Sequence, residues 1–265
     1  MSMRKKLLPL ACVSTLAALA APTAYADTVF GIYAGGGTWN AEPDGDFGSN
    51  DQSASADELG LESEQNAFAY IAIEHIVPVI PNVRLQYQEL KTSGQSEVER
   101  DFTFGGRTIT LTGDTQSEFD LSHFDATFYY EILDNWLNLD IGLTVRVFDA
   151  SADVTGESNE NSNINADFTG NINKEFTGAV PLGYLRGRVD LPLTGWHVTG
   201  VANLLTLDDD SITDFSGSVG YQSDGLLLDF GFDIGYRTMS LDISDDDFDA
   251  DVEVSGTFGS LMVHF

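Results

Sequence analysis

The chain has 265 residues but only four histidines, His75, His123, His197 and His264. One of them has a carboxylate two positions on: His123 with Asp125. In an extended chain, positions i and i+2 share a face, so this pair could serve as a general base and its orienting acid in hydrolysis of a lipid or a peptide. Against this, the two side chains stand about 7 Å apart along a strand, and buried polar groups ordinarily just satisfy their neighbours. The other three histidines lie near short Pro-containing connections or the C-terminus. No nucleophile elbow, zinc-protease helix or phosphate loop occurs. No catalytic, cofactor-binding or metal-ligating residue is therefore assigned, no cofactor is expected, and the protein reads as a non-enzyme.

Acids dominate the composition, with 42 Asp and Glu against 12 Lys and Arg, a net charge of −30 and a pI near 4.1. A chain with this balance has no electrostatic footprint for a phosphate backbone, which excludes nucleic acid as a partner. Residues 44–51 and 242–251 concentrate the aspartates, six of the ten positions in the second run. Hard oxygens at such spacing suit Ca²⁺ or Mg²⁺, although neither run has the twelve-residue calcium-loop pattern ending in Glu. The first reading is a solvated acidic surface. The sharper expectation is divalent bridging from these loops to the phosphates of surrounding lipopolysaccharide.

The first 26 residues read as an export leader. Arg4, Lys5 and Lys6 precede an apolar stretch from Leu7 to Ala21, and Ala24 and Ala26 place small residues ahead of a cut before Asp27. About 15 apolar residues are too few for a helical span. Removal leaves residues 27–265 with nine basic residues against 42 acids, a net charge of −33. The one cysteine, Cys12, leaves with the leader, which excludes a disulfide framework, a thiol nucleophile or a thiolate metal site.

Residues 27–265 read with period two almost throughout. Leu137, Leu139, Ile141, Leu143, Val145 and Val147 alternate with mostly polar neighbours. Val83, Leu85 and Tyr87 do the same, as do Phe124, Ala126, Phe128 and Tyr130, and Phe230, Phe232, Ile234 and Tyr236. Each run has one apolar and one polar face, and each is long enough to cross a bilayer at a tilt. The pattern predicts ten strands over 28–40, 64–75, 83–92, 119–132, 137–148, 176–190, 196–206, 212–222, 226–241 and 251–265. Eight or twelve are the alternatives, since residues 102–111 could extend strands three and four as a hairpin. Short connections at 77–82, 133–136, 191–195 and 223–225 predict periplasmic turns. Segments 41–63, 93–118, 149–175, 207–211 and 242–250 hold 26 of the 42 acids and predict the outer loops. The expected fold is all-β: a transmembrane, antiparallel, up-and-down barrel with long acidic outer loops and short periplasmic turns, in the outer membrane of a diderm bacterium.

The last strand carries Leu261, Val263 and Phe265 on its lipid face, a C-terminal aromatic of the kind read by the barrel-assembly machinery. The first-strand motif Gly31-Ile32-Tyr33-Ala34-Gly35-Gly36-Gly37-Thr38-Trp39 resembles a group of uncharacterised proteobacterial outer-membrane β-barrel proteins, as do Glu74-His75-Ile76-Val77-Pro78-Val79-Ile80-Pro81-Asn82-Val83 and the turn Leu191-Pro192-Leu193-Thr194-Gly195. The resemblance spans residues 27–265. It implies an outer-membrane barrel and carries no catalytic residues.

With the apolar faces on lipid, Glu74, Arg84, Glu131, Asp140, Arg186, Arg188 and Asp229 point inward in the periplasmic half. Because a barrel of about eight strands is filled by side chains, these charges are expected to pair with one another. A movable network gating a narrow polar path is the sharper reading. The expected function is structural, or passage of small solutes. The alternatives are a surface enzyme acting on lipid or peptide and a loop-mediated adhesin.

Overall fold

The computed structural model describes residues 30–47, 53–104, 107–156, 170–207, 210–223, 225, 228–245 and 248–265. Residues 1–26, read from the sequence as a leader, lie outside them, as do 48–51 of the first acidic run and 246–247 of the second. Thirteen strand segments form one antiparallel sheet: β1 Phe30–Phe47, β2 Ala54–Ser55, β3 Glu64–His75, β4 Asn82–Gln88, β5 Lys91–Phe104, β6 Arg107–Asp120, β7 His123–Leu133, β8 Leu137–Gly156, β9 Gly170–Asp190, β10 Trp196–Leu207, β11 Asp210–Ser223, β12 Asp229–Asp245 and β13 Phe248–His264. β4 with β5, and β6 with β7, are each one interrupted stave, and β2 is a short addition to β1, so the wall has ten staves. The first and last strands pair from Tyr33↔His264 outward, and β8 pairs β9, so the sheet closes on itself. Closure removes the unpaired edges that lipid cannot solvate.

Ten staves match the count read from the sequence, and the four turns fall at the expected connections. The outer segments differ in kind. Segment 93–118 is a hairpin of β5 and β6, segment 149–175 continues β8 and β9 as far as Gly156↔Gly170, and 242–250 continues β12 and β13 to Asp245↔Phe248. Acidic residues in these segments stay in register because a strand tolerates charge on any face that meets water.

The outer wall carries an apolar belt, with Ile71, Leu85, Phe128, Ile141, Leu185 and Ile234 all exposed. At the short-turn end Trp196, Tyr221 and Phe232 pack ring against ring, with Trp196 5.4 Å from Tyr221 and 6.0 Å from Phe232, as an interfacial aromatic girdle does. The belt then stops. In β8 the outward apolar series ends at Val147, and from Phe148 onward the apolar residues, Phe148, Ala152 and Val154, are buried inside while Asp149 faces out. In β12 the switch falls between Tyr236, exposed, and Met239 and Leu241, buried. Trp39 and Ala41 in β1, Leu182 in β9, Ile212 in β11, and Val252 and Val254 in β13 turn inward at the same level.

The barrel is therefore two stacked bodies sharing one wall. The lower, between Phe230 and Tyr236 on β12, is apolar outside and polar inside, as lipid requires. The upper is polar outside and apolar inside, as water requires. Ala54, Ala56, Leu59 and Leu61 from the connector between β1 and β3 complete the upper core. Gly60, at φ 66°, lets that connector turn against the Gln95 carbonyl.

Gly256 sits at φ 157° in β13, and a Cβ there would fall on the Asn40 carbonyl oxygen across the closing seam. Gly256→Ala should lower the fraction of refolded protein that migrates as the heat-modifiable compact form. On the upper wall Asp46, Asp251 and Asp242 occupy one cross-strand row, and like charges directly opposite repel. Asp251→Asn should raise the unfolding temperature at low ionic strength, and the gain should shrink as salt screens the row.

Candidate functional site

The lumen is built from the bottom of the upper core downward. Where the wall changes polarity, Asp125 on β7 pairs in register with Arg146 on β8. Arg146 is fully buried. It donates Nε to Asp125 Oδ1 and Nη2 to Asp125 Oδ2, both at 2.8 Å. The same Nη2 reaches across to Asp214 Oδ2 on β11 at 2.7 Å. From β12, Arg237 takes both oxygens of Asp214 at 2.9 and 2.8 Å and Gln88 Oε1 at 2.6 Å, and its guanidinium lies 4.6 Å from the Trp39 ring centroid. Two arginines and two aspartates thus lace β7, β8, β11 and β12 together. The bidentate forks are the strong form of this interaction.

Below that plane Thr127 meets Thr144 and Thr144 donates to Asn203, both at 2.8 Å. The charges expected inside are there, and most are matched. Arg186 donates to Asp140 at 2.9 Å, Arg188 to Asp190 and Gln222, both at 2.9 Å, and Asn82 to Glu131 at 3.0 Å. Tyr129 donates its hydroxyl to Glu74 at 2.7 Å. His197 Nε2 and Ser218 share one oxygen of Asp233, both at 3.0 Å, while His264 lies 3.2 Å from Asp229 and stacks on Tyr33 at 4.1 Å. Arg84 differs: it donates one hydrogen bond, to Gln86 at 2.9 Å, and lies 3.8 Å over the Tyr70 ring. No carboxylate among the described residues comes within ion-pair distance of it.

Part of this network lines a cavity of about 160 Å³. It is roofed by the Arg146–Asp214–Arg237 plane and walled by Arg84, Arg186 and Arg188 with the hydroxyls of Thr199, Ser216 and Ser218. Toward the turns the interior stays polar to the rim, where the Asp190 side chain is 35% exposed.

The His123 and Asp125 side chains lie on the same inner face, as expected, but do not bond to each other. His123 Nδ1 contacts the Leu121 carbonyl at 2.9 Å and its Nε2 has no hydrogen-bond partner among the described residues, while Asp125 is held by Arg146. Among the described residues no group of three or more His, Asp or Glu is placed to hold a metal ion. Asp214, Gln88, Tyr129 and Tyr184, the last two 5.8 Å apart in the lower lumen, were not singled out in the sequence. The signal that finds Asp214 is the phase change of its own strand, where inward Ile212 and outward Phe215 flank it.

The two kinds of ion pair differ in what they contribute. Asp214→Asn leaves Arg146 and Arg237 buried with only Asp125 between them, and should cost about 3–5 kcal/mol of unfolding free energy measured in urea. Lys91, an exposed residue at 3.3 Å from Asp120 whose ammonium is held above the usual lysine range by that hydrogen bond, makes the contrast. Lys91→Gln should cost less than about 1 kcal/mol.

No family model matches the chain, and no curated protein does. Among solved structures, it is similar to the outer membrane protease OmpT from Escherichia coli, at 9% identity and a TM-score of 0.39, over 89% of this chain and 96% of that one. It is also similar to the toluene transporter TodX from P. putida, at 9% identity and a TM-score of 0.33, over 91% and 90%. The CymD monoaromatic hydrocarbon channel gives 9% identity and a TM-score of 0.29, over 89% and 87%. Likenesses this distant assign none of those activities to this chain.

Proposed function

We propose that this protein is a closed, non-conducting outer-membrane barrel, a rigid non-enzymatic scaffold of the uncharacterised proteobacterial group whose motifs it carries. Its short turns face the periplasm and its water-exposed upper body faces outward. The observation that carries this reading is the apolar core across the upper bore, where Trp39, Leu59, Leu182 and Met239 are fully buried. Ions do not cross a dry, close-packed plug. Beneath it the buried Arg146–Asp214–Arg237 bridge ties β7 and β8 to β11 and β12, and moving it would break five charge-assisted hydrogen bonds at 2.7 to 2.9 Å. That geometry favours satisfied pairs over a gate. It also argues against the hydrolytic alternative, since the carboxylate that would orient His123 is held by Arg146.

The test is single-channel recording of the refolded barrel in planar bilayers, with the compact form first verified by heat-modifiable migration. Wild type should be silent, and a variant carrying Leu59→Ser with Leu61→Ser, which loosens the plug, should show openings. Discrete steady openings of the wild type would replace the scaffold with a channel.

A further inference from the structure

The basic residues of this acidic chain are not scattered. After residue 26 the sequence holds nine Lys and Arg, and five of them, Arg84, Arg146, Arg186, Arg188 and Arg237, line the luminal cavity of about 160 Å³. Three carboxylates line it with them. Two, Asp125 and Asp214, are taken by Arg146 and Arg237 in the roof. The third, Asp233, is turned to His197 and Ser218. The lower wall therefore presents three guanidiniums. Arg186 and Arg188 are anchored from behind by Asp140 and Asp190, and their side chains stay 24% and 16% accessible. Arg84 is held flat on Tyr70 with no carboxylate partner among the described residues.

A cation inside a barrel is costly without a counter-charge, and a scaffold that needed only internal pairing has no use for an arginine left over in its lumen. We propose that the cavity is a binding site for a small phosphate-bearing anion, entering from the short-turn end and held by Arg84, Arg186 and Arg188. The donors point to phosphate. Arg84 on β4, Arg186 and Arg188 on β9, Thr199 on β10 and Ser216 on β11 line one space from four strands, which suits a tetrahedral anion whose oxygens accept in several directions, whereas a carboxylate is satisfied by a single arginine fork. The volume agrees. One water needs roughly 10–15 Å³ of such space, so a cavity of about 160 Å³ takes a phosphate group with part of what carries it. The apolar plug closes the opposite side, so the ligand is held and released at one mouth. The inference stands whether or not the barrel conducts.

The experiment is calorimetric titration of the refolded full barrel, in phosphate-free detergent buffer at constant ionic strength, with inorganic phosphate, with succinate and with chloride. Expected is saturable one-to-one binding of phosphate, weaker binding of succinate and none of chloride. Arg84→Gln, which leaves no acid unpaired, should weaken phosphate at least tenfold; Lys91→Gln, outside the lumen, should not change it. If Arg84→Gln does not refold to the compact form, Arg84→Lys keeps the charge, removes the planar fork and should still weaken phosphate. Unsaturable heats, equal affinity for phosphate and succinate, or an Arg84 variant that binds as wild type would each overturn the proposal.

Discussion

One constraint organises the molecule: a strand that leaves lipid for water must exchange its apolar face for its polar one without leaving the sheet. Side chains alternate with a fixed period of two, so the exchange is made by shifting phase, and β1, β8, β9, β11, β12 and β13 all make it at nearly the same height. Below the plane the wall is greasy outside and the lumen polar; above it the relation is reversed, and Trp39, Phe148, Leu182, Ile212 and Met239 meet in a core of the kind found in a water-soluble barrel. At the plane itself both faces are in transition, and the groups there are neither lipid-facing nor free to hydrate. Arg146, Arg237, Asp125 and Asp214 occupy it.

That position explains why the network is so completely bonded. Dry packing above excludes water from one side, and a buried charge without a partner is heavily penalised. A bidentate fork from Arg146 to Asp125 and another from Arg237 to Asp214, joined by the Arg146–Asp214 contact, leave the central charges balanced. The lower lumen is under a weaker constraint, since it keeps contact with water through the short-turn end. Looser arrangements are tolerated there, such as Arg84 on Tyr70 without a carboxylate, and those are the groups left over for a ligand.

The same division separates rigidity from adaptability. The plug and the central bridge join walls three staves apart, which fixes the cross-section of the bore. The polar lower chamber, with partly accessible Arg186 and Arg188, holds the side chains able to reorganise at little cost. Acidic rows on the upper wall, such as Asp46, Asp251 and Asp242, repel one another but face solvent, so the closed hydrogen-bonded ladder carries them.

Much of this was legible in the residues. Period-two runs such as Leu137 to Val147 marked the strands, their length pointed to a membrane barrel, and four short connections against five long acidic ones led to ten staves, with eight and twelve as the alternatives that the closed sheet removes. The inward placement of Glu74, Arg84, Glu131, Asp140, Arg186, Arg188 and Asp229 followed from the same parity, because alternation is a local property of the backbone. The phase shift from Val147 to Phe148 was equally present in the sequence, but it reads as strand ending in loop until β8 is seen to continue against β9. Tertiary structure alone decided which arginine meets which aspartate. Arg146 and Asp214 are 68 residues apart and on non-adjacent strands, and only closure of the sheet across the bore brings them to 2.7 Å. The His123 and Asp125 pair shows the converse: spacing put both on one face, and a stronger partner arriving from the neighbouring strand decided what the carboxylate does.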